Sequence, residues 1–274
     1  MPLVADLVPM IVILAATGAF AGVLAGLLGV GGGIVLVPAF FYVFSGLGYD
    51  SPQLMQICLA TSLATIIVTS VRSVLSHSRK GAVEWETLRR WAPGIAVGAV
   101  LGVVLASGLR TTTLQAIFAG LAFVVALYMA FARPHWRLGD RMPEGGRVWV
   151  FAPGVGFLSV LMGIGGGSFG VPLMTLHNVP IHRAVATAAG FGVTIAVPGV
   201  AGFLLLDLAE TGRPPLTVGA VNLPAFLLVI AMTLVTTPLG VRLAHRMDPV
   251  PLRRAFAVFL MLVAANMMRK ALGW

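Results

Sequence analysis

The sequence predicts an all-α protein that crosses a membrane several times and consists of two repeats of inverted topology. Of its 274 residues, 58% are hydrophobic and 10% are charged, and the mean hydropathy is +0.99. A soluble domain could not bury so much apolar sequence in one core. A glycine-rich motif occurs twice within apolar tracts, and the basic residues occupy short loops, which is typical of membrane topology signals.

Ten apolar tracts follow one another along the chain, five in each half. Several approach the ~20 residues that a helix needs to cross the hydrocarbon, so we expect about 8–10 transmembrane segments. A segment rich in charge, Pro and Gly separates a first repeat at 1–132 from a second at 148–274, which makes 133–147 a linker. The tracts cover 7–28, 34–48, 54–72, 91–109, 112–132, 148–163, 168–179, 184–206, 218–240 and 252–271.

Each half contains one glycine motif, which predicts a break in a helix. Four glycines in five residues each cost a helix roughly 1 kcal/mol relative to Ala, although close packing of two helices is an alternative interpretation. A break in lipid needs adjacent protein or a water-filled cavity. If a short helix follows each break with its proline in the first turn, its N-terminus faces that cavity and favours an anion. The motifs are Gly29-Val30-Gly31-Gly32-Gly33 with Pro38, and Gly163-Ile164-Gly165-Gly166-Gly167 with Pro172.

The similarity between the halves extends beyond the glycines. The motifs recur at an offset of 134, and Ala60-Thr61 recurs as Ala186-Thr187. Residues between Leu114 and Met129 recur between Leu252 and Met267 at an offset of 138. Three similarities in the same order indicate a duplication. A duplicated helix break at membrane depth is typical of a transporter that binds its substrate where the repeats meet.

Loop charges predict that the two halves are inverted. Basic loops stay in the cytoplasm, and the basic loop follows the third tract in the first half but the fourth tract in the second. Each half then needs an odd number of crossings: five, or three plus a re-entrant hairpin. Arg269 and Lys270 do not fit this pattern, because it places them outside. The first half has Arg72, Arg79, Lys80, Arg89 and Arg90, then Arg110; the second has Arg213, then Arg242, Arg246, Arg253 and Arg254; the linker, also cytoplasmic, has Arg133, Arg137, Arg141 and Arg147.

The predicted substrate site consists of the break residues and nearby hydroxyls. Ser and Thr also satisfy helix carbonyls or join transmembrane helices, but Thr61 and Thr187 stand out because they occupy matching repeat positions. His182 and Arg183 have either a topological or a substrate-attracting role. The predicted substrate-binding residues are Gly31, Gly32, Gly33, Ile34, Thr61, Ser62, Gly165, Gly166, Gly167, Ser168 and Thr187, and Pro38 and Pro172 have a structural role.

The distribution of the nine acidic residues argues against several functions. All lie in loops or at tract ends, whereas a cation transporter or a proton relay would need one deep inside. The run from Gly166 to Gly170 formally matches a hydrolase elbow but lacks a nearby histidine. There is no HExxH motif, cysteine pair or nucleotide-binding loop, so we expect no enzyme, no metal and no cofactor. The basic residues form no single face, so nucleic acid is not an expected partner.

The paired motifs resemble those of the TauE/SafE family of sulfite and organosulfonate exporters. The resemblance implies a multi-pass secondary transporter in the bacterial inner membrane, moving a small anion such as sulfite or a sulfonate. An anion channel, or an uptake permease for a different small oxyanion, is the alternative. Coupling ion, direction and oligomeric state stay open. The resemblance lies in Gly26 to Gly33 with Val37-Pro38, in Ala60-Thr61-Ser62-Leu63, in Gly163 to Gly167 with Val171-Pro172, and in Ala184 with Ala186-Thr187; Ala188 departs from it by replacing the hydroxyl of Ser62.

Overall fold

The computed structural model describes residues 4–28, 32–132, 136–208, 211–244 and 249–274. These ranges contain ten α-helices, one for each predicted tract, together with a short 3₁₀ helix at Gly145–Arg147 and a β-hairpin of β1 (Thr217–Val218) and β2 (Val221–Asn222). The helices are α1 (Val4–Leu28), α2 (Gly33–Gly46), α3 (Leu54–Ser78), α4 (Trp85–Ser107), α5 (Thr111–Phe131), α6 (Val148–Leu161), α7 (Gly167–Leu176), α8 (Ile181–Leu204), α9 (Leu223–Ala244) and α10 (Pro249–Ala271). Gly29, Val30, Gly31, Arg133, Glu210, Arg246 and Asp248 lie outside the described residues.

The prediction of an all-α polytopic membrane protein is confirmed. Six helices, α3, α4, α5, α8, α9 and α10, are long and apolar enough within the described residues to cross a membrane. Among the shorter apolar helices, α2 and α7 follow the glycine motifs and α6 precedes one. A membrane-spanning segment that is interrupted near its middle produces short helices, such as α6 and α7, on the two sides of the break.

Three element boundaries differ clearly from the predicted tracts. Helix α3 continues to Ser78 instead of ending near 72. Helix α4 begins at Trp85 instead of near 91, because Glu86 and Arg90 lower the hydropathy of its first turns while pairing with each other one turn apart. Leu88 and Trp91 on the same turns are buried. The start of the ninth tract forms the β-hairpin instead, with Gly219 at φ +52° in its turn.

The two halves interleave and form one core. Helix α1 packs against α9, α4 against α6, α5 against α10 and α3 against α8, so each of these pairs joins the first half to the second. The α1–α9 and α4–α6 pairs are equivalent when α1 to α5 are matched with α6 to α10. The division into repeats at 1–132 and 148–274 stays a prediction from the sequence, and the packing unit is the whole chain.

The basic residues gather at one end of this bundle, here called the basic end. Helices α3 and α5 end there, and α4, α8 and α10 begin there: Arg253 Nη2 of α10 donates to the Ala132 carbonyl at 2.8 Å after α5, and Arg183 of α8 pairs with Glu84 before α4. Among the described Lys and Arg residues, only Arg110, Arg213, Arg269 and Lys270 belong to the opposite end.

Glycines allow the pairs α4–α6 and α1–α9 to approach closely. A Cβ on Gly98 of α4 would overlap the carbonyl group of Pro153 in α6, and one on Gly156 would overlap the carbonyl of Ile95. In α1, a Cβ on Gly22 would overlap the Thr236 hydroxyl of α9. Because lipid tails are as apolar as the side chains, the hydrophobic effect does little to hold helices together in a membrane. Close approach through small residues supplies the van der Waals contact that does so.

Gly98→Ala should therefore destabilise the protein by about 1–3 kcal/mol, the usual cost of overpacking. Gly120→Ala is the matched control, because a Cβ on Gly120 meets nothing within 4 Å and Ala favours a helix by roughly 1 kcal/mol. Thermal unfolding in detergent should show a lower midpoint for Gly98→Ala alone. Equal midpoints for the two variants would contradict the assigned close contact.

Candidate functional site

Both glycine motifs interrupt a helix, as the sequence predicts. Helix α1 ends at Leu28 and α2 begins at Gly33, while α6 ends at Leu161 and α7 begins at Gly167. Gly32 has φ +60° and Gly163 has φ +59°. Only glycine adopts this left-handed conformation without strain, so the two glycines allow the chain to turn at each break.

The two breaks meet in the interior of the protein. A Cβ on Gly33 would lie 2.9 Å from the Gly163 carbonyl oxygen and 3.1 Å from the Ile164 Cα. The Ser62 hydroxyl of α3 donates to the same Gly163 carbonyl at 2.7 Å, and Ser62 is fully buried. A carbonyl freed by the break thus has a protein partner, which non-helical backbone at membrane depth requires.

The second motif also lies against α3 and α8. A Cβ on Gly166 would overlap the Ala188 carbonyl oxygen of α8 and lie 2.9 Å from the Gly192 nitrogen. A Cβ on Gly165 would lie 3.2 Å from Ile66 Cγ2 of α3. Gly166 is therefore required by its close contact with the backbone of α8, while a side chain at Gly165 would press against Ile66 of α3.

The prediction that Pro38 and Pro172 lie in the first turn of their helices is wrong. Each is the sixth residue of its helix, since α2 begins at Gly33 and α7 at Gly167. A proline there lacks the N–H that would bond the carbonyl four residues earlier. The carbonyls of Ile34 and Ser168 consequently lose their intrahelical donors. The first turn of each short helix therefore makes one backbone hydrogen bond fewer to the turn that follows it.

Thr61 and Thr187 have equivalent backbone partners. The Thr61 hydroxyl accepts a hydrogen bond from the Asn222 backbone N–H at 3.0 Å, directly before α9. The Thr187 hydroxyl accepts one from the Glu84 backbone N–H at 2.9 Å, directly before α4. Both threonines are fully buried. Their matching positions thus correspond to a shared structural role, in which each holds the start of a helix equivalent to the other.

A cavity of about 380 Å³ lies beside the start of α7 and is here called the α7 cavity. Gly167 and Ser168 line it from α7, Tyr128 from α5 and Arg253 from α10. It lies toward the basic end, where α5 ends and α10 begins. Since a water molecule takes up about 30 Å³ of liquid, the cavity can hold a small oxyanion together with several waters.

Two residues that line the α7 cavity each have a buried polar atom with unused hydrogen-bonding capacity. Ser168 is only 5% exposed, and its hydroxyl has no partner among the described residues. The Arg253 Nε is also buried and has no acceptor in the described part of the chain, although Nη2 of the same guanidinium donates to Ala132. Buried polar groups in native proteins are nearly always paired, so such exceptions indicate a ligand or water at this place.

The electrostatics of the α7 cavity favour an anion. Arg253 carries a full positive charge, and the first N–H groups of an α-helix carry a partial one. Among the described residues that line the cavity, none is Asp or Glu. An anion 4 Å from the guanidinium would gain about 4 kcal/mol at an effective dielectric constant near 20, which corresponds to roughly millimolar binding before desolvation is counted. That strength lets an ion bind and leave again.

A second opening of about 450 Å³, here called the α3–α9 cleft, lies at the same end. Arg72 and His77 of α3 and Arg242 of α9 line it, together with the hydroxyls of Thr69 and Ser73. Neither arginine has a salt bridge to a described carboxylate. The cleft therefore adds positive potential at the basic end, which attracts anions from the adjacent water.

Sequence reasoning missed Arg253 as a site residue, because a basic residue at the start of a tract reads as a topology signal. The one signal in the sequence was that Arg253 directly follows Leu252, which matches Leu114 of the first half. Conversely, Arg183 pairs with Glu84, and His182 is exposed. Within the described ranges, no three His, Cys, Asp or Glu side chains come together as a metal site needs.

Comparison with known proteins identifies the family. The model of the family described as "Sulfite exporter TauE/SafE" matches residues 14–267. A probable membrane transporter protein of Haemophilus influenzae is 30% identical over 253 residues, covering 92% of this chain and 96% of the relative. One from Methanocaldococcus jannaschii is 25% identical and covers 90% of each chain.

A third relative, the probable membrane transporter protein YunE of Bacillus subtilis, is 29% identical over 196 residues, covering 65% of this chain and 72% of the relative. No solved structure matches the chain. The family match spans both glycine motifs, the α7 cavity and nearly all of the helices. The chain therefore belongs to the TauE/SafE family and is a multi-pass membrane transporter.

Proposed function

We propose that this transporter exports a small sulfur-containing oxyanion, such as sulfite or an organosulfonate, across the bacterial inner membrane. The observation that carries the proposal is the α7 cavity, whose lining residues Ser168 and Arg253 have polar atoms without a partner in the described part of the chain, where no carboxylate lines the cavity either. The description of the matching family as sulfite exporters supports the choice of anion. The residues of this cavity, with the break glycines around it, form the proposed substrate site.

Each group has a proposed part in binding. The Arg253 guanidinium attracts the anion and donates through Nε, since charge-assisted hydrogen bonds are roughly twice as strong as neutral ones. The Ser168 hydroxyl donates a further bond at the start of α7. The N–H groups of this first turn face an anion with the positive end of the helix dipole. Thr61, Ser62 and Thr187 act indirectly, since their hydroxyls hold the backbone around the site.

The proposed transport mechanism is alternating access between two inverted repeats. Loop charge predicts that the basic end faces the cytoplasm, so the α7 cavity would receive the anion from that side. The α3–α9 cleft, with Arg72 and Arg242, would concentrate anions near the same surface. Rocking of one repeat against the other would then expose the site to the opposite side.

Inverted topology predicts that equivalent loops lie on opposite sides of the membrane. We expect single cysteines replacing Lys80, between α3 and α4, and Asp207, between α8 and α9, to react with an impermeant thiol reagent from opposite sides. Both residues are exposed, and Cys58 is buried and can be replaced by Ala in the background. Labelling of both positions from one side would contradict the inverted arrangement, although the family assignment would stand.

The proposed anion site predicts that sulfite stabilises the purified protein against heating, because a ligand that binds only the folded state raises its stability. Arg253→Gln and Ser168→Ala should reduce this stabilisation, with the loss of the charge weakening binding about tenfold or more. Arg254→Gln is the matched control, since Arg254 is adjacent and exposed. Each variant is compared with its own unfolding midpoint in sodium chloride.

The same proteins in liposomes should transport sulfite, and the loss in Arg253→Gln should parallel its loss of binding. Thiosulfate, sulfoacetate and sulfate, each with and without a pH gradient, would define the substrate range. An equal sulfite effect in Arg253→Gln and Arg254→Gln would remove Arg253 from the site. Sulfite flux that does not respond to an opposing gradient would favour an anion channel.

A further inference from the structure

The internal repeat pairs each residue of the α7 cavity with a counterpart near the opposite end. At the offset of 138 that matches α5 with α10, Arg253 corresponds to Gln115 and Asn266 to Tyr128. At the offset of 134 that matches α2 with α7, Ser168 corresponds to Ile34. A site built by duplication therefore has a second half around Gln115, between α2, α5 and the end of α10.

The two half-sites differ in how tightly they are packed. Around the α7 cavity, Val171, Pro172 and Thr175 are half-buried and line open space. Their counterparts Val37, Pro38 and Phe41 on α2 are all buried. Gln115 itself is 2% exposed. The half-site at the basic end is thus open, and its equivalent at the opposite end is closed.

Gln115 has an unsatisfied donor, as Arg253 has. The Gln115 Nε2 is buried and has no hydrogen-bond partner among the described residues. A buried amide donor without an acceptor is destabilising, and native proteins retain few such groups. Equivalent positions in both repeats therefore present an unpaired N–H to the interior, which a duplicated structural bond would not explain.

The opposite end is held shut by contacts that have no equivalent at the basic end. The Asn266 Nδ2 of α10 donates to the Tyr42 hydroxyl of α2 at 2.8 Å. The Lys270 ammonium lies 4.9 Å from the Tyr42 ring centre and 5.7 Å from that of Phe41, within cation–π range. These contacts give Lys270 a structural role at this end, whereas the loop charges did not explain why a basic residue lies there.

We propose that Gln115 is the anion-binding donor of a second half-site, which binds the same small oxyanion when α10 separates from α2 at the opposite end. This inference rests on the proposed function. The anion would meet a guanidinium at the basic end and a neutral amide at the other. Because the guanidinium adds the Coulombic attraction of a full positive charge and the amide does not, the anion binds more tightly at the Arg253 side, and its release at the Gln115 side is favoured.

The test measures the Michaelis constant for sulfite separately from each side of oriented liposomes, using labelling of Lys80→Cys or Asp207→Cys to define orientation. Gln115→Leu should raise the constant roughly fivefold from the Asp207 side, as expected for one lost hydrogen bond, and leave the Lys80 side unchanged. Arg253→Gln should raise the Michaelis constant measured from the Lys80 side. Gln115→Arg should lower the constant from the Asp207 side.

Ser159→Ala is the matched control, because the Ser159 hydroxyl is also buried and unpartnered but Ser159 lines neither opening. It should change neither constant. If Gln115→Leu does not fold, Gln115→Cys in the Cys58→Ala background replaces it. That cysteine should react with a thiol reagent only from the Asp207 side, and faster when Tyr42→Phe removes the bond from Asn266.

Equal changes from both sides, or no change while sulfite transport is retained, would overturn the role of Gln115. A Gln115→Cys thiol that reacts from the Lys80 side would overturn it as well. The proposed function fails separately, when Ser168→Ala and Arg253→Gln bind and transport sulfite like the unaltered protein. The two outcomes are distinguished by the behaviour of the variants at the basic end.

Discussion

The architecture depends on one constraint: a helix that breaks inside an apolar interior must find partners for the backbone groups it frees. The hydroxyl of Ser62 meets this need at the second break, where it donates to the Gly163 carbonyl. To do so, α3 must pass directly beside the break, and its residues from Leu54 to Ile66 are all buried. Gly33 and Gly163 then lack side chains because each adjoins backbone of the other repeat.

The length and content of α2 and α7 account for the tighter packing beside α2 than beside α7. Helix α2 has 14 residues and α7 has 10, so they extend about 21 Å and 15 Å from the breaks. Helix α2 also carries Phe40, Phe41 and Phe44, which are all buried in the core. A shorter helix with Met174 and Thr175 at the corresponding positions fills less of the basic end.

The sequence predicted the ten helices and both breaks because hydropathy and glycine content report directly on those features. The start of α4 was missed because its charged first turns lower the hydropathy. The β-hairpin was missed because an apolar run does not distinguish a short strand from the start of a helix. The matching of Thr61 and Thr187 led to their prediction as substrate-binding residues, whereas in the structure their hydroxyls accept hydrogen bonds from the backbone N–H before α9 and before α4. Duplication preserves structural bonds as readily as binding groups.

Positions where the two repeats differ are therefore more informative about transport than positions where they agree. Ser168 stands opposite Ile34, and Arg253 opposite Gln115, so at these matched positions the hydroxyl and the guanidinium both belong to the half-site at the basic end. If that end is cytoplasmic, the membrane potential drives an anion outward with about 2.3 kcal/mol per 100 mV for each charge. Strong attraction is then needed only where the anion is collected. A charged donor on the release side would retain the anion against that driving force, and a neutral amide does not.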